Sequence, residues 1–200
     1  MPRGTLDPDY YYSSEEQVRL ARNLAALYSD LAAGGRSSDV YRVELICSWH
    51  GRLFDDVRDH AGRHRSSSFG PETLVFGPNR SPHRDEVPTL LDEHCRRAAG
   101  LIREVEVSTQ APSVTAVDDA IRVAAYIHAD LIRIHPFIDG NGRVARLVMD
   151  WTLLRVSFPF TIAFHIPAEE YRSALNHYYF TGDIRPLADL VLRAYSFVLR

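Results

Sequence analysis

The sequence predicts an all-α fold that carries one short β-hairpin. Three observations lead there. Apolar residues return every three or four positions through most of the 200 residues, the period of a helix with one buried stripe. Capping pairs and prolines stand at the heads of these stripes. Only Ser66 to Arg84 breaks the pattern: it is rich in Ser, Gly and Pro and holds one short apolar run, Thr73-Leu74-Val75-Phe76.

The first helix opens at Ser13, which forms a capping-box pair with Glu16. Its stripe is Val18, Leu20, Ala21, Leu24, Leu27, Tyr28 and Leu31, and Gly34-Gly35 closes it. A second helix runs from about Asp39 through Val43, Ile46, Cys47, His50, Leu53 and Phe54. The hairpin or irregular loop follows. Pro88 suits the first turn of the third helix, which carries Leu90, Leu91, Cys95, Ala98 and Leu101. Residues from Glu106 to Ser113 read as a loop. Thr115 with Asp118 resembles a second capping box, heading the stripe Ile121, Ala125, His128, Ile132 and His135. Pro136 disfavours the α conformation in the residue before it, so this helix should stop near Ile134 or His135. Val144, Leu147, Val148, Trp151 and Leu154 mark the next helix. Pro167 heads another, with Tyr171, Leu175 and Tyr178. Pro186 heads the last, with Leu187, Leu190, Val191, Ala194 and Val198. No repeat, linker or low-complexity segment divides the chain, and 200 residues can bury one sizeable core. Residues 1–200 therefore read as one domain.

A net charge of -3 gives no sign of a nucleic-acid surface. No apolar run approaches the roughly 20 residues of a membrane span, so no membrane partner is expected. Met1 to Asp9 is polar and does not read as a secretory signal, which makes the cytoplasm the default location. Cys47 and Cys95 lack metal-site spacing and read as buried thiols rather than a disulfide. All positive charge is arginine, for which a GC-rich genome is the plain reading and evasion of lysine-directed tagging in a host the functional one. His128 lies two turns before His135 on one stripe and reads as a satisfied structural histidine rather than a ligand or second catalytic group.

The run from His135 to Arg146, His-Pro-Phe-Ile-Asp-Gly-Asn-Gly-Arg-Val-Ala-Arg, carries the chemistry. Gly140 and Gly142 permit backbone angles that other residues resist. Asp139 to Arg143 therefore lies at a helix N-terminus, where free N–H groups and the helix dipole favour anions. Arg143 and Arg146, three apart, share one side of the first turns and suit consecutive phosphates. Asp139 would repel phosphate directly, but makes sense with a hard cation such as Mg²⁺ between them. His135, with an ordinary pKa of about 6.5, could take a proton from a hydroxyl near neutral pH.

This run resembles the Fic-domain signature H-P-F-x-[D/E]-G-N-G-R-x-x-R at every specified position. The resemblance implies a Fic-type helical bundle with a β-hairpin flap before the catalytic loop and helix, a core at about 40–195 and a helical extension at 1–36. It implies transfer of AMP from ATP to a Ser, Thr or Tyr hydroxyl of a target protein, with release of pyrophosphate. His135 would be the general base and Asp139 would hold Mg²⁺. Gly140, Asn141 and Gly142 would form the anion hole, with Asn141 orienting the α-phosphate. Arg143 and Arg146 would hold the β- and γ-phosphates, and Phe137 would anchor the loop. Members that phosphorylate their targets carry Lys at the position of Gly142, so Gly142 argues for AMP transfer; phosphocholine transfer stays open. The flap falls at roughly Phe69 to His83, with Thr73, Leu74, Val75 and Phe76 holding the target by strand addition. Tyr171 to Leu175 and Gly182 to Leu187 also resemble the family's C-terminal end, and Asn176 and Tyr179 are candidates for the nucleoside pocket.

Many relatives of this kind carry an inhibitory [S/T]-x-x-x-E-[G/N] helix whose Glu pairs with the motif's last arginine. Here only Ser68…Glu72 and Thr89…Glu93 have the spacing, and neither is followed by Gly or Asn. The expectation is constitutive competence or restraint by a separate antitoxin-like partner. A toxin acting on its own bacterial cell and an effector delivered to another are both open. Two rival readings are a nucleotide-binding module without catalysis and Mg²⁺-dependent phosphate-ester hydrolysis.

Overall fold

A computed structural model of the chain describes residues 12–34, 39–108, 114–155 and 166–198, with side chains for all but 108, 114 and 195–198. The elements run α1 (Ser14–Ala32), α2 (Val43–Leu53), β1 (Val75–Phe76), β2 (Asn79–Arg80), α3 (Val87–Ser108), α4 (Val114–Ile134), α5 (Asn141–Arg155), α6 (Ala168–Thr181) and α7 (Arg185–Val198). The all-α reading with one hairpin holds. Gly35, the Met1–Asp9 stretch, residues 109–113 of the expected loop and the Val198 side chain lie outside what is described.

Helices α4 and α5 form the centre and pack on each other. One apolar layer joins them to α1, α2 and α3 through Leu27, Trp49, Phe54, Ile127 and Trp151. The opposite layer joins them to α6 and α7 through Ile121, Met149, Leu153, Tyr178 and Val191. Helix α5 is therefore buried almost all round, from Val144 to Leu153 apart from Arg146. The loop between the two central helices, residues 135–140, opens the His135–Arg146 run and the first turns of α5 complete it, so its backbone is held between the two helices that pack most closely. No described helix is long and apolar enough to cross a membrane.

The Ser13–Glu16 capping box forms in both directions, and Pro167 is the N-cap of α6. Three boundaries differ from the sequence reading. Helix α2 begins at Val43, not Asp39. Tyr41 is buried, stacks on Trp151 at 5.8 Å and bonds His94 at 2.9 Å, and Arg42 is extended, so the approach to α2 stays straight. Helix α3 runs three residues into the expected loop, to Ser108. Val105 packs on Ala120 of α4, and Glu106 pairs with Arg155 at 2.5 Å. These tertiary contacts outweigh the weak local signal. Thr115 lies inside the first turn of α4 rather than capping it, and Asp118 pairs with Arg122 one turn on.

The hairpin sits between α2 and α3. Its strands are antiparallel, with Val75 opposite Arg80 and Phe76 opposite Asn79. Gly77, at φ +55°, makes the turn. Of the expected run, Thr73 and Leu74 precede the strand. The Leu74 carbonyl accepts from the Ser81 amide, and its own N–H donates to Ser81 Oγ, each at 2.8 Å. Asn79 Nδ2 donates to Asn176 Oδ1 at 2.8 Å, and the Tyr179 hydroxyl donates to the Arg80 carbonyl. The hairpin is thus tied down onto α6.

Candidate functional site

The loop from His135 to Gly140 is closed by its own residues. Asn141 Oδ1 accepts from the Phe137 amide and Asn141 Nδ2 donates to the Phe137 carbonyl, both at 2.9 Å. Both ends of that buried amide are committed to the backbone, so the Asn141 side chain shapes the loop. Phe137 is fully buried and stacks flat on His50, with ring centroids 3.9 Å apart. His50 Nδ1 accepts from the Gly62 amide at 2.9 Å, which leaves the proton on Nε2, facing the Asp139 carbonyl at 3.2 Å. The anchor role of Phe137 thus has a partner on α2 that sequence reasoning placed only on a helix stripe.

His135 follows the last residue of α4 with φ +51°, a left-handed conformation that is uncommon for a side chain of this size. Nδ1 lies 3.3 Å from the Ile132 carbonyl. A carbonyl can only accept, so the neutral ring carries its proton on Nδ1 and leaves Nε2 as a base. Phe76 of the hairpin stacks on the ring at 4.1 Å and 10°. Burial pushes the pKa down to about 4, against the Ile132 bond and helped by Arg65. The imidazole is therefore neutral at physiological pH, the form that accepts a proton.

Helix α5 starts immediately beyond. Asp139 Oδ1 accepts from the Gly140 amide at 2.5 Å, and Oδ2 accepts from the Tyr12 hydroxyl just before α1. The Arg143 guanidinium lies 5.4 Å from the Tyr12 ring centre. Arg146 folds back over the helix start: a Cβ on Gly142 would sit 3.5 Å from its Nη1. The Arg146 charge also acts on the Tyr171 hydroxyl, and that hydroxyl lies 2.6 Å from His128 Nε2. His128 is fully buried and held through Nε2 by Tyr171, a structural place as expected, while its Nδ1 finds no hydrogen-bond partner among the described residues. One turn beyond Arg146, buried Asp150 accepts from the Tyr28 hydroxyl at 2.7 Å, and burial pushes its carboxyl up to about 8. A neutral Asp150 leaves the Arg146 charge for a ligand to meet.

Among the described residues no group of three His, Cys, Asp or Glu could enclose a metal ion. Asp139 supplies one hard oxygen donor beside two arginines. That suits a Mg²⁺ ion that completes its shell with phosphates and water, provided Tyr12 yields its place.

The structure brings His135, Asp139, the glycines and both arginines to one helix start, with Phe76 stacked on the His135 ring. Asn176 and Tyr179 line a cavity of about 200 Å³ together with Phe76 and Ile132. Sequence reasoning missed Tyr12, Arg65 and Asp150. Each is distant in sequence from its partner, and no spacing rule links them.

Burial makes stability depend on pH. His50, His128 and His135 stay neutral down to about 3, 4 and 4, whereas the unfolded chain takes up those protons near 6.5. Below 6.5 the unfolded state therefore binds more protons, and stability falls with pH. Asp150 opposes this, since its native carboxyl stays protonated up to about 8. Three histidines against one carboxyl should leave a loss on the order of 1–3 kcal/mol per pH unit between about pH 6 and 4.5. Urea midpoints measured across that range would show it, and a flat profile would refute the buried-neutral assignment.

A sequence model described as the Fic/DOC family matches residues 40–153. The chain belongs to this family. A protein named "Protein adenylyltransferase Fic" from Drosophila erecta is 42% identical over 158 residues, covering 78% of this Fic chain and 29% of the fly protein. Fic-1 of C. elegans superposes with a TM-score of 0.68 at 25% identity, over 94% of this chain and 52% of that one. A protein of Ostreid herpesvirus 1, named as a ribonucleoside-diphosphate reductase small chain, is 37% identical over 107 residues. Those residues are 54% of this chain and 16% of the viral protein, too small a share to bring that name across. This Fic chain thus spans less than a third of the curated relatives it matches here.

Proposed function

We propose that this Fic protein transfers AMP from ATP to a Ser, Thr or Tyr hydroxyl of a target protein. The observation that carries the reading is the His135 ring. It is neutral, has Nε2 available as a base, and stands at the entrance of an anion-binding helix start. The target hydroxyl gives its proton to His135 Nε2 as its oxygen bonds to the α-phosphorus. The bond from that phosphorus to the bridging oxygen breaks, and pyrophosphate leaves. The backbone N–H groups of Asn141 and Gly142, joined by that of Gly140 once Asp139 turns to the cation, stabilise charge on the phosphates together with Arg143 and Arg146. Mg²⁺, held by Asp139, would neutralise phosphate charge when bound. The fly relative's name supports adenylylation, and Gly142 supports AMP over phosphoryl transfer.

The flap residues Thr73 to Phe76 would present the target as an added strand; Val75 is 44% exposed there. No Ser/Thr-x-x-x-Glu-Gly/Asn run stands in these 200 residues, and constitutive competence and restraint by a separate protein are the two readings. Relatives from a fly and a nematode do not favour a dedicated bacterial toxin.

Intact-mass analysis after incubation with ATP, Mg²⁺ and a cell lysate or candidate targets tests the reading. A gain of one AMP supports it. Phosphate or pyrophosphate release without labelling would establish hydrolysis, and neither would leave a binding module. Arg146→Ala should weaken ATP binding by about 10–100-fold, the loss of a charge-assisted contact of about 1.5–3 kcal/mol. Calorimetry against ATP checks it, and unchanged affinity would remove Arg146 from the phosphate site.

A further inference from the structure

Arg65 is 0% exposed, and no carboxylate among the described residues pairs with it. It lies between α2 and the hairpin, and its guanidinium bonds only to carbonyls. Nε donates to the His135 carbonyl at 3.1 Å. Nη2 donates to the same oxygen at 2.9 Å and to that of Ile134 at 3.4 Å. Nη1 reaches Pro71 at 3.4 Å, Glu72 at 3.3 Å and Pro82 at 3.3 Å, and Nη2 also reaches Pro82 at 3.4 Å. The Arg65 amide donates to the Pro136 carbonyl at 2.7 Å.

These carbonyls fall into two groups. Ile134 and His135 end α4, where unsatisfied carbonyls and the negative end of the helix dipole attract a cation. Pro71, Glu72 and Pro82 belong to the two arms at the base of the hairpin. A planar guanidinium with five N–H donors in a fixed fork can hold both groups at once, which an ammonium cannot. The strained φ of +51° at His135 persists only where its surroundings over-determine it, and two bonds onto its carbonyl do this. The stem is enclosed too: a Cβ on Gly70, at φ +84°, would sit 3.0 Å from Arg65 Cγ. Farther along the hairpin, Phe76 stacks on the His135 ring, so the two groups meet again at the base itself.

We propose that Arg65 is a positioning residue that locks the hairpin and His135 to each other. The strand that would present the target and the ring that would deprotonate it then keep a fixed relation. The proposal rests on the transferase reading for its consequence, but not for its geometry. Burial lowers the Arg65 pKa to about 10, so the clamp stays charged at neutral pH.

The test uses the full chain with Arg65→Lys, which keeps a charge and loses the fork, and with Arg65→Ala. Hydrogen exchange is followed by mass spectrometry over residues 69–83 and 134–138, beside ATP affinity and labelling rate. Arg65→Lys should speed exchange in both segments together and leave α1 and α7 unchanged. Its kcat should fall by about tenfold or more with ATP affinity within about twofold. Methylguanidine should restore part of the rate of Arg65→Ala. Exchange that rises in one segment only, or throughout the molecule, would overturn the proposal, as would unchanged labelling by Arg65→Lys. If neither variant folds, wild-type exchange decides. The amides of His135, Ser81 and Arg84 should share one opening free energy, and separate values refute the lock. A wild type that labels nothing would overturn the transferase reading, while the exchange result still decides on Arg65.

Discussion

His135→Ala should lower AMP transfer by about 10²–10⁴-fold, the usual worth of a positioned general base. ATP affinity should stay within about twofold, because the contacts assigned to phosphate lie on α5 and not on this ring. The expectation follows from the tautomer. With Nδ1–H directed at the Ile132 carbonyl, Nε2 is the only atom of the ring able to take a proton. Nothing else described at the loop offers a neutral nitrogen base: His50 has both nitrogens engaged, and His128 is held by Tyr171. Initial labelling rates with radioactive ATP, alongside calorimetric ATP binding, separate the two effects. Full labelling by the variant would remove His135 from the mechanism. Equal loss of binding and labelling would make it a structural residue of the pocket.

Gly140→Ala should destabilise the fold by about 2–4 kcal/mol, combining a left-handed penalty with overpacking. The glycine sits at φ +75°, and an added Cβ would lie 2.3 Å from Phe54 Cε2 and 2.7 Å from Cζ. Phe54 cannot move aside easily: it is fully buried, with His50 at 4.7 Å and His60 at 5.9 Å. The strain reaches function as well, since the Gly140 carbonyl accepts the Val144 amide at 3.0 Å and so starts the first turn of α5. ATP binding and labelling should fall together, unlike in His135→Ala. A melting temperature lower by roughly 5–15 °C is the expected readout for a chain of this size. A variant that melts with the wild type would show that the loop has room the structure does not give it.

The helices were legible because each buries one stripe of a regular period. Ser13, Pro167 and Pro186 placed helix starts well, because capping is a local interaction. The errors lay where a distant residue decides. The true start of α2 depends on Tyr41 meeting Trp151 and His94, and the length of α3 depends on Glu106 meeting Arg155. The hairpin could be placed, but not Phe76 against His135, since nothing in a four-residue run says which way its ring turns.

The same division runs through the site. A single continuous stretch, His135 to Arg146, held the histidine, the acidic residue, the two glycines and the two arginines, because a helix start gathers its neighbours in sequence around one set of backbone amides. That much needed no partner from elsewhere in the chain. The protonation states, the tautomer of His135 and the clamp on its carbonyl did. Burial pushes His135 down to about 4 and Asp150 up to about 8, and Arg65, seventy residues before His135, ties it to the hairpin. Desolvation and long-range hydrogen bonds exist only once the helices have packed. The residue types at the site are therefore read along the chain, and their chemical state is set across it.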